Sequence, residues 1–328
     1  MELALPVLAL VAGLAALVWS ANRFVDGAAA SARLLGVPAL LVGMVVVGFG
    51  TSAPELTVSA ISAWRGNPSI ALGNAWGSDI CNIALILGAT AAIAPVAVRR
   101  AVFRFDLPVL LGATVLAWFL VRDGGVSRTN AWIFLAVFAA WLAGSTFLAM
   151  RSGSPPGAEH GAGGGLSGRA AAFWTLVGLL ALVGSSRVLV WGATELAHAL
   201  GVSDLVIGLT VVAVGTSLPE LASSIAAARK GEDDLAVGNV VGSNLFNTLA
   251  VVGLAGAIRP MPDADPAIVS RDIPVAFVLT VALAVLGLPL WRRGRRDGRL
   301  SRPAGWALLA LYAGYLAKLF LAARAPVG

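Results

Sequence analysis

The sequence is short of what a soluble enzyme carries on its outside. Only 12% of its 328 residues are charged, against 58% hydrophobic, and the mean hydropathy is +0.87. Such a chain cannot cover a water-facing surface, which excludes a soluble fold. Its one cysteine, Cys81, excludes an intrachain disulfide and lies in an apolar run without metal-ligand spacing. Its two histidines, His160 and His198, lie in a glycine-rich stretch and at the edge of an apolar run. Zinc sites and histidine-based catalysis therefore lack their usual residues, and an intramembrane hydrolase built on Ser52 or Ser217 would lack its base. The net charge is +6, yet Lys and Arg come in short clusters between apolar runs, a pattern of membrane topology and not of nucleic-acid binding.

What is present is a series of apolar runs of about 17 to 28 residues, and roughly 20 suffice to cross a bilayer as a helix. Ten spans are expected, near 4–21, 37–64, 69–94, 105–121, 130–150, 171–197, 204–228, 235–258, 273–291 and 303–322. The start of the chain carries Glu2 and no basic residue, so the first run reads as a retained helix and not a cleaved leader. Between the fifth and sixth runs, SGSPPG and HGAGGG have a linker's composition. The predicted organisation is a five-helix unit over 1–150, a linker over 151–170 and a second five-helix unit over 171–328. With both termini outside and the linker cytoplasmic, most basic residues, including Arg23, Arg33 and the run from Arg292 to Arg302, fall in inner loops, as the positive-inside rule asks. The acidic run Glu232, Asp233, Asp234 reads as a solvated turn. Arg187, inside the sixth span, is expected to snorkel or to pair with an acid.

The two units resemble each other. From Gly27 to Pro95 the chain aligns without a gap on Gly192 to Pro260, at an offset of 165 residues and with about 29 of 69 pairs identical. Five spans is an odd number, so the second copy would sit upside down relative to the first. This is the inverted-repeat plan of secondary transporters, whose sites lie near the midplane where the halves meet.

Identity concentrates in GTSAPE (Gly50 to Glu55) with GTSLPE (Gly215 to Glu220), and in GNAWGSDICN (Gly73 to Asn82) with GNVVGSNLFN (Gly238 to Asn247). A carboxylate at mid-bilayer costs about 2.5 kcal/mol or more, so Glu55 and Glu220 are functional candidates. Thr51 and Glu55 are spaced i, i+4 with Ser52 adjacent, which on a helix puts their oxygens on one face, and Thr216, Ser217 and Glu220 repeat the pattern. Pro54 and Pro219 donate no N–H and free the carbonyls of Gly50 and Gly215 as further candidate ligands. Ser78 and Asn82, and likewise Ser243 and Asn247, stand at i, i+4 on the following spans and can add oxygens from the other side. Gly73, Gly77, Gly238 and Gly242 allow close helix approach. The inventory is all oxygen, which suits Ca²⁺ and Na⁺ and not zinc or copper. Two carboxylates carry a charge of −2, which one Ca²⁺, two or more Na⁺, or two protons would balance; mutually exclusive occupancy is the basis of exchange. A passive channel would need a continuous wet pore, which an inverted repeat does not favour.

The paired GTS-x-PE and GN-x-x-GS blocks resemble the two alpha repeats of the cation/calcium exchanger superfamily, closest to prokaryotic sodium/calcium exchangers, over nearly the whole chain. The resemblance implies an all-α integral membrane antiporter of ten transmembrane helices, in two inverted five-helix repeats. Its first and sixth helices would slide as a gating bundle. It would need no cofactor, function as a monomer and reside in a prokaryotic inner membrane. Carried over by position, the ion ligands are Thr51, Ser52, Glu55, Ser78 and Asn82, with Thr216, Ser217, Glu220 and Ser243, and the backbone oxygens of Gly48 and Ala213. The expected activity is exchange of Ca²⁺ for Na⁺. The alternative is Ca²⁺/H⁺ exchange on the same two glutamates, although that branch has GN-x-x-E in place of GTS-x-PE. Asn247 stands where potassium-dependent relatives have Asp, which argues against potassium co-transport. Asp79 stands where the usual block has Asn, and Trp76 replaces a small or aliphatic residue. About 100° per residue sets Asp79 beside the Ser78/Asn82 face, where it is expected to be a supporting acid, and Trp76 is expected to pack.

Overall fold

The computed structural model describes residues 3–152, 166–200, 213–262, 264–287 and 298–324. The described chain is helical: α1 Ala4–Leu35, α2 Ala39–Thr51, α3 Ala53–Arg65, α4 Pro68–Ile93, α5 Val102–Val121, α6 Arg128–Ser152, α7 Gly168–Ala199, α8 Ala213–Thr216, α9 Leu218–Arg229, α10 Asp233–Ile258, α11 Ile268–Gly287 and α12 Arg302–Arg324. Eight of these are long and apolar enough to cross a membrane, and α2 with α3, bent by 47°, makes a ninth if taken as one span. The expected seventh span falls on α8 and α9, with its 204–212 portion outside the described residues, as is most of the expected linker. One small exception to the all-α expectation is an antiparallel ribbon, β1 Val96–Val98 with β2 Gly298–Leu300.

Burial sorts the helices. Over their most apolar windows α4 and α10 are 72% and 83% buried, whereas α6, α7 and α12 are about a fifth buried, so the two polar-block helices form the centre and the others face lipid. Both central helices widen into i→i+5 turns, over Asn82–Leu87 in α4 and Phe246–Val251 in α10. Such turns leave the regular ladder and cluster at functional sites.

The expected first span, 4–21, is too short. α1 runs on to Leu35 and stops where Gly36, at φ 65°, turns its N–H back to the Ala32 and Arg33 carbonyls. Arg23 and Arg33 are therefore helical and not in a loop. Arg23 stacks on Trp174, 5.1 Å from the ring centre. The last third of α1 is tied to the turn between α9 and α10. Lys230 Nζ lies 2.6 Å from Asp26 Oδ1 and Arg33 Nη1 3.1 Å from Glu232 Oε1, while Arg99 Nε lies 2.6 Å from Asp234 Oδ2. Glu232 and Asp234 are buried, which corrects the solvated-turn expectation: each neutralises a base from another element.

α1 and α7 lie along each other with their glycines at the seam. A Cβ at Gly178 would stand 2.7 Å from Phe24 Cα, and one at Gly192 would stand 2.7 Å from Pro6 O. Gly13 against Leu189 and Gly27 against Thr175 are their counterparts 165 residues earlier. Ser20 Oγ and Ser185 Oγ, also one offset apart, sit 3.4 Å from each other. In α10, Gly238 lets the Leu40 carbonyl of α2 approach to 2.6 Å from where its Cβ would be.

Candidate functional site

The bend between α2 and α3 falls at Ser52. Pro54 offers no N–H to the Gly50 carbonyl, so the α-helical ladder lapses and Ser52 leaves helical geometry, with φ −82° and ψ 7°. Ser217, before Pro219, does the same at φ −91° and ψ 7°. Thr51 and Glu55 are thus on two helices and not on one continuous face. Each serine hydroxyl turns to the opposite block: Ser52 Oγ donates to Glu220 Oε1 at 3.1 Å, and Ser217 Oγ to Glu55 Oε1 at 3.3 Å. Thr51 lies beside Glu220 and Thr216 beside Glu55. The carboxylates are each 1% exposed, and neither forms an ion pair among the described residues. Each keeps an Oε2 with no hydrogen-bond donor.

Two asparagines that the sequence reading left without a role hold the glutamate backbones. Asn74 Nδ2 donates to the Glu55 carbonyl at 3.0 Å and to Ser59 Oγ at 2.9 Å, and Asn239 Nδ2 to the Glu220 carbonyl at 3.2 Å and to Ser224 Oγ at 2.8 Å. The signal was available, since both are the Asn of a GN dipeptide placed 19 residues after its glutamate.

The other candidates divide. Thr51 Oγ1 lies 3.0 Å from the Val47 carbonyl and 3.1 Å from Asn239 Oδ1, so its proton serves the fold. Ser243 Oγ approaches the Gly48 carbonyl at 3.4 Å, and the same carbonyl accepts the Ser52 N–H at 3.0 Å. The Ser217 N–H takes Val214 O in a tighter turn, next to Ala213 at the edge of the described residues. Ser78 lines a cavity of about 240 Å³ with Asn74, Cys81, Asp272, Tyr312 and Tyr315. Asn82 Nδ2 donates to Asn244 Oδ1 at 3.0 Å and its Oδ1 has no donor. Asn247 is fully buried with both amide atoms unmatched. The Gly215 carbonyl does not stay free, because Ser186 Oγ of α7 donates to it at 3.0 Å. Arg187 lines a crevice of about 340 Å³ with Thr57, Ser186, Thr194 and Thr216, one wall of which is the Glu55 helix.

Buried acceptors without donors are costly unless something positive joins them. Glu55 Oε2 on α3, Glu220 Oε2 on α9, Asn82 Oδ1 on α4 and Asn247 Oδ1 on α10 are such acceptors, all oxygen and all buried. These features define a helical membrane protein with an anionic, oxygen-lined centre suited to a hard cation.

Comparison with known proteins agrees. The sequence profile of the family described as sodium/calcium exchanger protein matches residues 5–147 and 170–321, and the chain belongs to that family. It is 40% identical over 314 residues to the putative antiporter CaxA of Alkalimonas amylolytica, covering 94% of this chain and 96% of that one. It is 30% identical to the sodium/calcium exchanger MaX1 of Methanosarcina acetivorans, covering 95% and 98%. Among solved structures it resembles the sodium-calcium exchanger NCX_Mj soaked with 2.5 mM Na⁺ and 0.1 mM Ca²⁺, with a TM-score of 0.80, 30% identity, and 96% and 99% of the two chains covered. The protein is a membrane cation exchanger of this family and not an enzyme.

Proposed function

We propose that this chain exchanges Ca²⁺ for Na⁺ by alternating access. Ten helices in two inverted repeats, 1–150 and 171–328, would be joined by a cytoplasmic linker over 151–170, with both termini outside, in a prokaryotic inner membrane and as a monomer. Glu55 and Glu220 are the shared ligands. Ser52, Ser217, Thr51, Thr216, Ser78, Ser243, Asn82, Asn247 and the carbonyls of Gly48 and Ala213 supply the remaining oxygens to whichever ion is bound.

The observation that carries this reading is the crossed pair, Ser52 to Glu220 and Ser217 to Glu55. Each carboxylate is held by a hydroxyl of the other half, so a cation that draws on both carboxylates must engage both halves. A relative displacement of the halves then changes coordination of the ion, the coupling that alternating access requires. Two buried negative charges fit one divalent ion or a set of monovalent ones, and two names among the relatives support Na⁺ as the second ion.

The test is uptake of radiolabelled Ca²⁺ into proteoliposomes loaded with Na⁺, compared with Na⁺-free liposomes with and without an imposed pH gradient. Uptake driven by the outward Na⁺ gradient is expected. Uptake that follows the pH gradient alone would replace Na⁺ by H⁺ as the counter-ion, and absence of Ca²⁺ flux under either gradient would overturn the reading.

A further inference from the structure

Arg187 carries a permanent charge within α7 and finds no partner for it. The residue is exposed, and neither a hydrogen bond nor an ion pair joins its side chain to the described residues. The preceding Ser186 Oγ donates to the Gly215 carbonyl at 3.0 Å, which roots Arg187 at the level of the GTSLPE block. The crevice of about 340 Å³ that it lines is also lined by Pro54 and Thr216, and Thr216 lies beside Glu55. The crevice therefore abuts the glutamate pair. An unpaired guanidinium is costly in hydrocarbon and is tolerated at bilayer depth where it faces a water-filled cavity, so this crevice is aqueous.

The internal repeat supplies a comparison. A second crevice, of about 270 Å³, is lined by Val18, Ala21, Asn22 and Ala222, the positions one offset of 165 residues from Val183, Ser186, Arg187 and Thr57 of the first. The two crevices are thus counterparts. In the second, Asn22 stands where Arg187 would be and turns its Nδ2 back to the Val18 carbonyl at 2.8 Å. The remaining lining is leucine, isoleucine, valine and alanine, apart from Arg229, the last residue of α9. Packing α7 does not call for the charge, since α1 packs in the same way with an amide at that position.

A fixed charge in a narrow crevice with low-dielectric walls has its field focused along the crevice. A positive one lowers the local concentration of cations, and the exponent of that effect scales with the charge of the ion. Whatever factor applies to Na⁺ applies squared to Ca²⁺. We infer that Arg187 is a specificity-determining residue whose charge throttles cation entry through this crevice and weighs more heavily on Ca²⁺ than on Na⁺. The identity of the ions rests on the exchange reading above; the charged crevice rests on the geometry.

Two measurements on the full chain test it. In proteoliposomes at low ionic strength, Arg187→Gln should lower the half-saturating Na⁺ concentration about threefold and that of Ca²⁺ by about the square of this, roughly tenfold. Arg187→Lys, which keeps the charge, should stay within about twofold of wild type, and added choline chloride should shrink the difference between Arg187→Gln and wild type. The second measurement needs no transport. Thr194→Cys places a reporter thiol in the crevice. Its labelling by a cationic thiol reagent, relative to an anionic reagent of the same size, should rise severalfold when Arg187→Gln is added and hardly change when Arg187→Lys is added. Cys81 is buried, and the protein without Thr194→Cys gives its background. Arg187 holds no group that its loss would leave open, so the variants are expected to fold. Equal shifts for Arg187→Gln and Arg187→Lys, or an unchanged reagent ratio, would overturn the throttle. A shifted reagent ratio in a protein whose wild type shows no Na⁺-driven Ca²⁺ flux would keep the charged crevice and overturn the exchange reading instead.

Discussion

Glu55→Gln and Glu220→Gln will each abolish Ca²⁺ exchange while leaving the protein at least as stable as wild type in the absence of Ca²⁺. Both carboxylates are buried, and each holds one serine hydroxyl on Oε1 and nothing on Oε2. Gln keeps the size of the side chain and an Oε1 that still accepts the serine proton, so the crossed contacts survive. What is lost is one of the two charges that the proposed site offers to the cation. Removing one member of a buried charge pairing costs about 3–5 kcal/mol, on the order of a hundredfold to several thousandfold in Ca²⁺ affinity. In the ion-free protein the sign reverses, because an amide has no charge to desolvate. Thermal unfolding in a chelator should therefore give Gln variants with a Tm equal to or above that of wild type, and added Ca²⁺ should raise the Tm of wild type only. A structural role for the glutamates would show the opposite: both variants destabilised without Ca²⁺, and exchange lost only in proportion to the protein that unfolds.

Gly178→Val will prevent α1 and α7 from docking, and the protein will be lost as a monodisperse species. A Cβ at residue 178 would lie 2.7 Å from both Phe24 N and Phe24 Cα, which are main-chain atoms that cannot rotate away. The helices would have to separate over a seam that also includes Gly13, Gly27 and Gly192. Overpacking costs about 1–3 kcal/mol where side chains can adjust, and here the obstacle is backbone, so the cost lies at or beyond the upper end. Gly184→Val, on the same helix with no neighbour within 4 Å of its Cβ position, is the matched control. Size-exclusion profiles in detergent should show aggregation for the first and a wild-type peak for the second. Equal profiles would mean that the seam tolerates separation.

Much of the candidate site was legible because the chain states it twice. Glu55 with Glu220, Ser52 with Ser217 and Asn82 with Asn247 stood out as polar positions shared by two apolar copies, and the structure brings the first four into direct contact. The crossing of those contacts was not legible. Within one block Thr51, Ser52 and Glu55 read as one helical face, and only the break before Pro54 and the arrival of the other half turn each serine to the far glutamate. Asn74 and Asn239 were missed because their partners are backbone carbonyls, which carry no residue identity. The extension of α1 from residue 22 to Leu35 was hidden by Asn22, Arg23, Asp26 and Arg33, which resemble a loop until Trp174, Lys230 and Glu232 meet them from far along the chain. Asp79 sat one step off the expected face on an ideal wheel, while the real helix places it on Thr248 at the entrance to a wide turn.

The ion pairs at the end of α1 have no mirror. One offset away from Asp26 and Lys230 stand Trp191 and Arg65, and one offset away from Arg33 and Glu232 stand His198 and Asn67, so neither image contains an acid. If the halves trade roles as proposed, contacts that both halves share cancel between the two end states, and contacts found on one side do not. Partly exposed pairs such as Asp26–Lys230 are worth up to about 1 kcal/mol each. Two of them tilt the resting population severalfold toward the orientation that keeps them, a preference that weakens as salt screens the charges. The exchanger would then wait mostly on one side of the membrane between cycles, with its resting side set by four residues outside the proposed ion site.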